Sequence, residues 1–84
     1  MEAYEIESLL RAFLRDQLRV RDLPEDRGAP LVSSGLIDSI DLVRIATHLE
    51  RQLGIVIADS EIDVERLDSI VGWVDLAVSK LGDR

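Results

Sequence analysis

Leu31-Val32-Ser33-Ser34-Gly35-Leu36-Ile37-Asp38-Ser39-Ile40-Asp41-Leu42-Val43 is the stretch around which the rest of the chain is organised. Gly35 marks a turn. Asp38 follows, a residue type that caps helices by accepting a hydrogen bond from a free first-turn N–H. Asp41, three residues on, adds a second carboxylate to that turn, where the positive end of the helix dipole favours it. Beyond it apolar residues recur at helical spacing, so a helix is predicted from Ser39 to Leu53, closed by Gly54. Two registers fit its buried stripe: Ile40, Val43, Ala46 and Leu49, or Leu42, Ile45 and Leu49, either one continuing to Leu53. Ser39 then stands at the first helical position and points outward.

Upstream, the connection from about Asp22 to Ile37 holds Pro24, Gly28 and Pro30, which exclude a continuous helix. Loops of that length are uncommon unless functional. Leu23, Leu31, Val32, Leu36 and Ile37 are expected to tuck under the helices and pin it. Before the loop, Ile6, Leu9, Leu10, Phe13, Leu14 and Leu18 recur at steps of three and four, the stripe of an amphipathic helix over about Ala3 to Arg21. Arg11, Arg15 and Arg19 read as a solvated face of it.

Downstream, Ile55-Val56-Ile57 has strand propensity but no partner strand, and reads as buried loop. The acidic passage from Asp59 to Leu67 is expected to hold one short helix, about Val64 to Leu67. A last helix is predicted from Ser69 to Leu81 with Asp68 as its cap, burying Ile70, Trp73, Val74, Ala77, Val78 and Leu81, before a frayed tail at Gly82-Asp83-Arg84. No internal repeat occurs. The expected fold is all-α: a single domain over residues 1–84, built as a small four-helix bundle of three main helices and one short one, with a long first loop.

Composition narrows the chemistry. A chain of 84 residues builds one modest core and leaves little room for a deep, water-excluded active site. With no cysteine, disulfides, thiolate metal sites and cysteine nucleophiles are excluded, and with one histidine a histidine-based metal site is not expected. Asp59-x-Glu61-x-Asp63 alternates like a calcium loop, but lacks the turn glycine and the closing glutamate. A net charge of -7 argues against nucleic acid and favours basic protein partners. No apolar run approaches the ~20 residues of a membrane span. The acidic start, Met1-Glu2-Ala3-Tyr4-Glu5, is unlike a signal peptide, so a cytoplasmic location is expected.

A serine hydrolase is excluded by spacing. His48 lies nine residues past Ser39 on the same predicted helix, about 13 Å along its axis, and reads as a helix-surface residue. Ser39 can instead be an acceptor. The free N–H groups and dipole of a helix N-terminus tolerate a phosphodiester there, and flanking Asp38 and Asp41 suit docking by a basic enzyme. Local physics leaves two readings open: an acceptor serine, or a serine that merely begins a helix.

Gly35-Leu36-Ile37-Asp38-Ser39-Ile40 resembles the Gly-x-Asp-Ser-Leu/Ile signature of phosphopantetheine-dependent acyl, aminoacyl and peptidyl carrier proteins, with one residue more between glycine and aspartate. Over nearly the whole chain the order of elements is similar to that family's: long helix, long loop, helix opening at the modified serine, short third helix, final helix. Leu53-Gly54-Ile55-Val56-Ile57, Asp59-Ser60-Glu61-Ile62 and Leu67-Asp68-Ser69-Ile70 resemble its later junctions. The resemblance implies that Ser39 receives 4'-phosphopantetheine from coenzyme A through a separate phosphopantetheinyl transferase. The arm's thiol then carries an acyl or aminoacyl thioester, loaded by a ligase and passed to an acyltransferase or synthase, and the chain itself catalyses nothing. It implies a stand-alone monomeric carrier whose recognition surface comprises Leu36, Ile37, Asp38, Ile40, Asp41 and Arg44. Carriers of fatty-acid synthesis show a dense acidic face on this helix; here Arg44, His48 and Arg51 interrupt it, as solvated charges or as selectors of partner. A second tripeptide, Asp68-Ser69-Ile70, lacks the preceding glycine turn, so Ser69 reads as structural. The alternative is a small helical interaction module with no prosthetic group.

Overall fold

The computed structural model describes residues 1–82. In chain order it contains α1 (Ala3–Asp16), α2 (Ser39–Leu53), a 3-10 turn (Asp59–Glu61) and α3 (Ile70–Gly82), with no strand among the described residues. Ile6, Leu10 and Leu14 of α1, Leu42, Ile45, Ala46, Leu49 and Leu53 of α2, and Ile70, Trp73, Val74, Leu76 and Ala77 of α3 converge on one core. Leu31, Ile37, Ile55, Ile57 and Leu67 reach into it from the connections. The second of the two registers for α2 is the one adopted. Leu42, Ile45 and Leu49 are buried, while Ile40 and Val43 are 67% and 52% exposed.

α1 stops five residues before the predicted Arg21. The N–H groups of Gln17 and Leu18 both donate to the Phe13 carbonyl, Arg19 adopts φ 61°, and the Val20 N–H donates to the Leu14 carbonyl. Beyond this turn Val20 is buried in the core. Nor are the arginines of α1 a uniformly solvated face. Arg11 donates to Glu7 at 2.9 Å and to the carbonyls of Pro24 (2.8 Å) and Glu25 (3.1 Å), fastening the first loop to the helix. Arg27 adds a second tie to Glu7 at 2.6 Å.

The pattern predicts a short helix over Val64–Leu67; the chain makes turns there instead. Only Leu67 is buried, too little apolar surface to offset helix nucleation, and the Asp63 carboxylate accepts the Glu65 N–H, a local bond that competes with helix. The 3-10 turn at Asp59–Glu61 takes its place, held by Glu61, which accepts from the Ala58 N–H and pairs with Lys80 at 2.6 Å. Three α-helices and this turn therefore replace the expected four-helix count. Ile55-Val56-Ile57 is loop as predicted, with Ile55 and Ile57 inside and Val56 outside. Gly54 closes α2 at φ 67°. In α3, Leu76 is buried in place of Val78, which is 43% exposed. Gly82 is still helical, and the rest of the predicted tail lies outside the described residues. No helix among the described residues is long and apolar enough to cross a membrane.

Candidate functional site: the N-terminus of α2

Asp38 and Asp41 lock the start of α2 reciprocally. Asp38 is extended (φ -115°, ψ 178°); its Oδ1 accepts the Asp41 N–H at 2.9 Å, and Asp41 Oδ2 accepts the Asp38 N–H at 3.1 Å. The pair forms a capping box made of two aspartates. Ser39, between them, is exposed at the first helical position, and its hydroxyl makes no hydrogen bond among the described residues. Ile40, on its outer side, is one of the most exposed large apolar residues of the chain, and Val43 follows one turn later.

The turn before the site is set by backbone. Gly35 has φ 85°, a region L side chains rarely adopt, and no atom lies within 4 Å of where its Cβ would be. Conformation, not space, demands glycine. Its N–H donates to the Val32 carbonyl, and the N–H groups of Leu36 and Ile37 both donate to the Leu31 carbonyl. Leu36 is left 36% exposed and does not tuck under the helices as expected, whereas Ile37 is only 5% exposed. Of the recognition residues named from the sequence, Leu36, Asp38, Ile40 and Arg44 are exposed and Asp41 is partly so. Ile37 faces the core and anchors the turn instead. A surface hollow of about 470 Å³ lies against Ser39, lined by Val32, Gly35, Leu36, Ile37, Asp38 and Asp41.

Asp68 holds the far side of that turn. It is not the cap of α3: Ser69 Oγ accepts the Gly72 N–H at 3.2 Å and takes that part. Asp68 Oδ1 instead accepts the N–H groups of Leu31 (3.0 Å), Val32 (2.5 Å) and Ser33 (3.1 Å), and Oδ2 accepts the Ser33 hydroxyl at 2.5 Å. The Ser33 hydroxyl foremost, and then those backbone donors, hold the Asp68 carboxyl below the usual carboxylate range against the opposing effect of burial. Sequence reading missed this clamp, whose partners lie more than thirty residues away.

His48 is not a plain surface residue. Its ring stacks on Phe13 of α1, centroids 4.1 Å apart and planes 21° from parallel. Burial, and then the neighbouring Arg51 charge, lower its pKa. Arg44 stands 3.8 Å from Asp41. Among the described residues no three His, Cys, Asp or Glu side chains are grouped to hold a metal ion.

The arrangement is one of presentation. A free hydroxyl sits at a helix N-terminus, whose dipole and remaining N–H groups favour an anion, beside an open hollow and two exposed apolar side chains. A phosphodiester on Ser39 Oγ would meet no buried wall and displace no existing hydrogen bond. A family model described as a phosphopantetheine attachment site matches residues 8–75. No curated protein and no solved structure gives a significant match to the chain.

Proposed function

The chain belongs to the phosphopantetheine-attachment family, whose members hold 4'-phosphopantetheine covalently, and we propose that it is a carrier protein with Ser39 as the attachment site. The observation that carries this reading is the unengaged Ser39 hydroxyl at an exposed, doubly capped helix start inside the matched region. The arm supplies a thiol on a long flexible tether, where an acyl or aminoacyl group rides as a thioester between a loading ligase and a downstream acyltransferase or synthase.

The protein's own residues do the presenting. Asp38 and Asp41 hold the helix end rigid and offer negative charge to a basic phosphopantetheinyl transferase. Leu36, Ile40 and Val43 offer apolar contact, and Arg44 breaks the acidic face. On this reading the chain performs no catalysis, works as a cytoplasmic monomer, and is matched to specialised partners rather than to general fatty-acid synthesis.

The test is intact mass after incubation with coenzyme A and a promiscuous transferase. One phosphopantetheine per chain is expected, and none on Ser39→Ala. A chain that never gains the group under conditions that load a control carrier would return the protein to the class of plain helical interaction modules.

A further inference from the structure

α1 packs more extensively against α3 than against α2, and the wedge left between α1 and α2 opens to solvent as a groove of about 340 Å³. Phe13, Leu18 and Val43 make its apolar surface; Arg44, His48 and Arg51 stand along its α2 side. A smaller hollow of about 200 Å³ shares Phe13, Gln17 and His48 with it and continues toward Leu9, Ala12 and Asp16. The Phe13 and His48 rings stack on each other within its lining.

The charge at this place is unlike that of the whole. The chain carries -7. Between Gly28 and Ala58 the only basic residues are Arg44 and Arg51, and both line this groove. Neither is used up internally. Arg44 has a 64% exposed side chain and only a loose contact with Asp41, and Arg51 makes no ion pair among the described residues. An apolar trough with two exposed arginines on one side, one unpaired among the described residues and one only loosely paired, fits an apolar ridge edged by carboxylates. Arg44 and Arg51 are seven residues apart, about 10.5 Å along α2, which equals the rise between carboxylates at i and i+7 of a partner helix.

We propose that this groove docks an amphipathic, acidic helix of a partner protein, its apolar ridge seated over Phe13 and Val43 and its acids on Arg44 and Arg51. Val43 lies about 6 Å along the axis from Ser39, so a partner held here keeps its neighbouring surface about one turn from the attachment serine. The significance for cargo transfer rests on the carrier reading; the binding itself does not.

The probe is a three-turn synthetic helix with a leucine ridge and glutamates at i and i+7, with a second peptide bearing lysines at those places, titrated into the isotope-labelled full chain by NMR. The glutamate peptide is expected to shift resonances at Phe13, Leu18 and Val43 to Arg51 and to bind more tightly than the lysine peptide. Arg44→Glu with Arg51→Glu should weaken the glutamate peptide at least about ten-fold and reverse the preference. Both positions are solvent-facing, and circular dichroism checks that the variant is folded. Equal binding of the two peptides, shifts confined to Leu36–Ile40, no binding at millimolar peptide, or a peptide-free dimer abolished by Arg51→Glu would each overturn the proposal. Loading by the transferase is scored separately: a chain that loads but ignores the peptide loses only the groove, and one that binds the peptide but never loads loses only the carrier reading.

Discussion

In the first Asp-Ser-Ile of this chain, Asp38 caps its helix, the Ser39 hydroxyl has no hydrogen bond among the described residues, and Ile40 is 67% exposed. In the second, Asp68, two residues before α3, reaches to the first loop, Ser69 makes the cap, and Ile70 is fully buried. The helix start has moved by one residue, and every side chain has changed its task. The cause lies three residues on. Asp38 is followed by Asp41, whose carboxylate returns a bond to the cap and closes a box. Three residues after Asp68, the Val71 N–H donates to the Arg27 carbonyl and not back to the aspartate, whose carboxylate gathers Leu31, Val32 and Ser33 instead. One copy presents a serine; the other holds in place the loop that leads to it.

The sharpest way to break this comparison is at the serines. Ser39→Ala should abolish phosphopantetheine attachment while costing well under ~1 kcal/mol of stability, as an exposed substitution with no partner to lose. Mass spectrometry after transferase treatment checks the first and denaturant unfolding the second. Attachment that persists, or moves to Ser69, would put the two copies on an equal footing and remove the site assignment.

The isoleucines come next. Ile70→Ala opens a cavity in the core and should cost roughly 2–5 kcal/mol, whereas Ile40→Ala should stay within about 0.5 kcal/mol and instead slow loading. Unfolding midpoints of the two variants, measured side by side, test this. Equal losses would mean that Ile40 packs against something in solution.

The clamp predicts a pH signature. Asp68→Ala leaves the Val32 and Ser33 N–H groups and the Ser33 hydroxyl without their acceptor, while the Leu31 N–H keeps the Asp68 backbone carbonyl, and should cost on the order of 1–2 kcal/mol. Asp68 titrates below its ordinary value in the folded protein. Its contribution is therefore fully present above the unfolded value near pH 4 and is lost as pH falls through the lowered folded value. Asp68→Asn should flatten that acid limb of the stability curve. An unchanged limb would assign the acid sensitivity to other carboxylates.

Much of this was legible along the chain, because the signals that matter most are local. Gly35, Asp38, Asp41 and the stripe through Leu42, Ile45 and Leu49 lie within fifteen residues and specify turn, cap and buried face together. Local signals misled where a distant partner intervened. The stripe of α1 runs on through Leu18, but the helix ends at Asp16 and the chain turns at Arg19. Asp68 has the look of a cap until its bonds to residues 31–33 are seen, and His48 the look of a surface residue until Phe13 is beside it. The short helix over Val64–Leu67 failed for want of more than one buried apolar side chain.

The smallest expected effects separate the two caps. Ser69→Ala removes the side-chain acceptor of the Gly72 N–H, and Asp38→Ala removes the side-chain acceptor of the Asp41 N–H; each should cost about 1 kcal/mol. In stability the two variants should look alike. They should part in loading rate. Ser69→Ala, far along the chain from Ser39, should load as fast as the wild type once the folded fraction is matched. Asp38→Ala should load more slowly than its stability loss explains, because the carboxylate beside Ser39 also offers charge to the incoming transferase. That deficit should shrink with added salt, as an electrostatic contribution to encounter does. If Asp38→Ala melts earlier yet loads at the wild-type rate at low salt, its aspartate is a cap and nothing more, and the difference between the two copies reduces to which serine is left free.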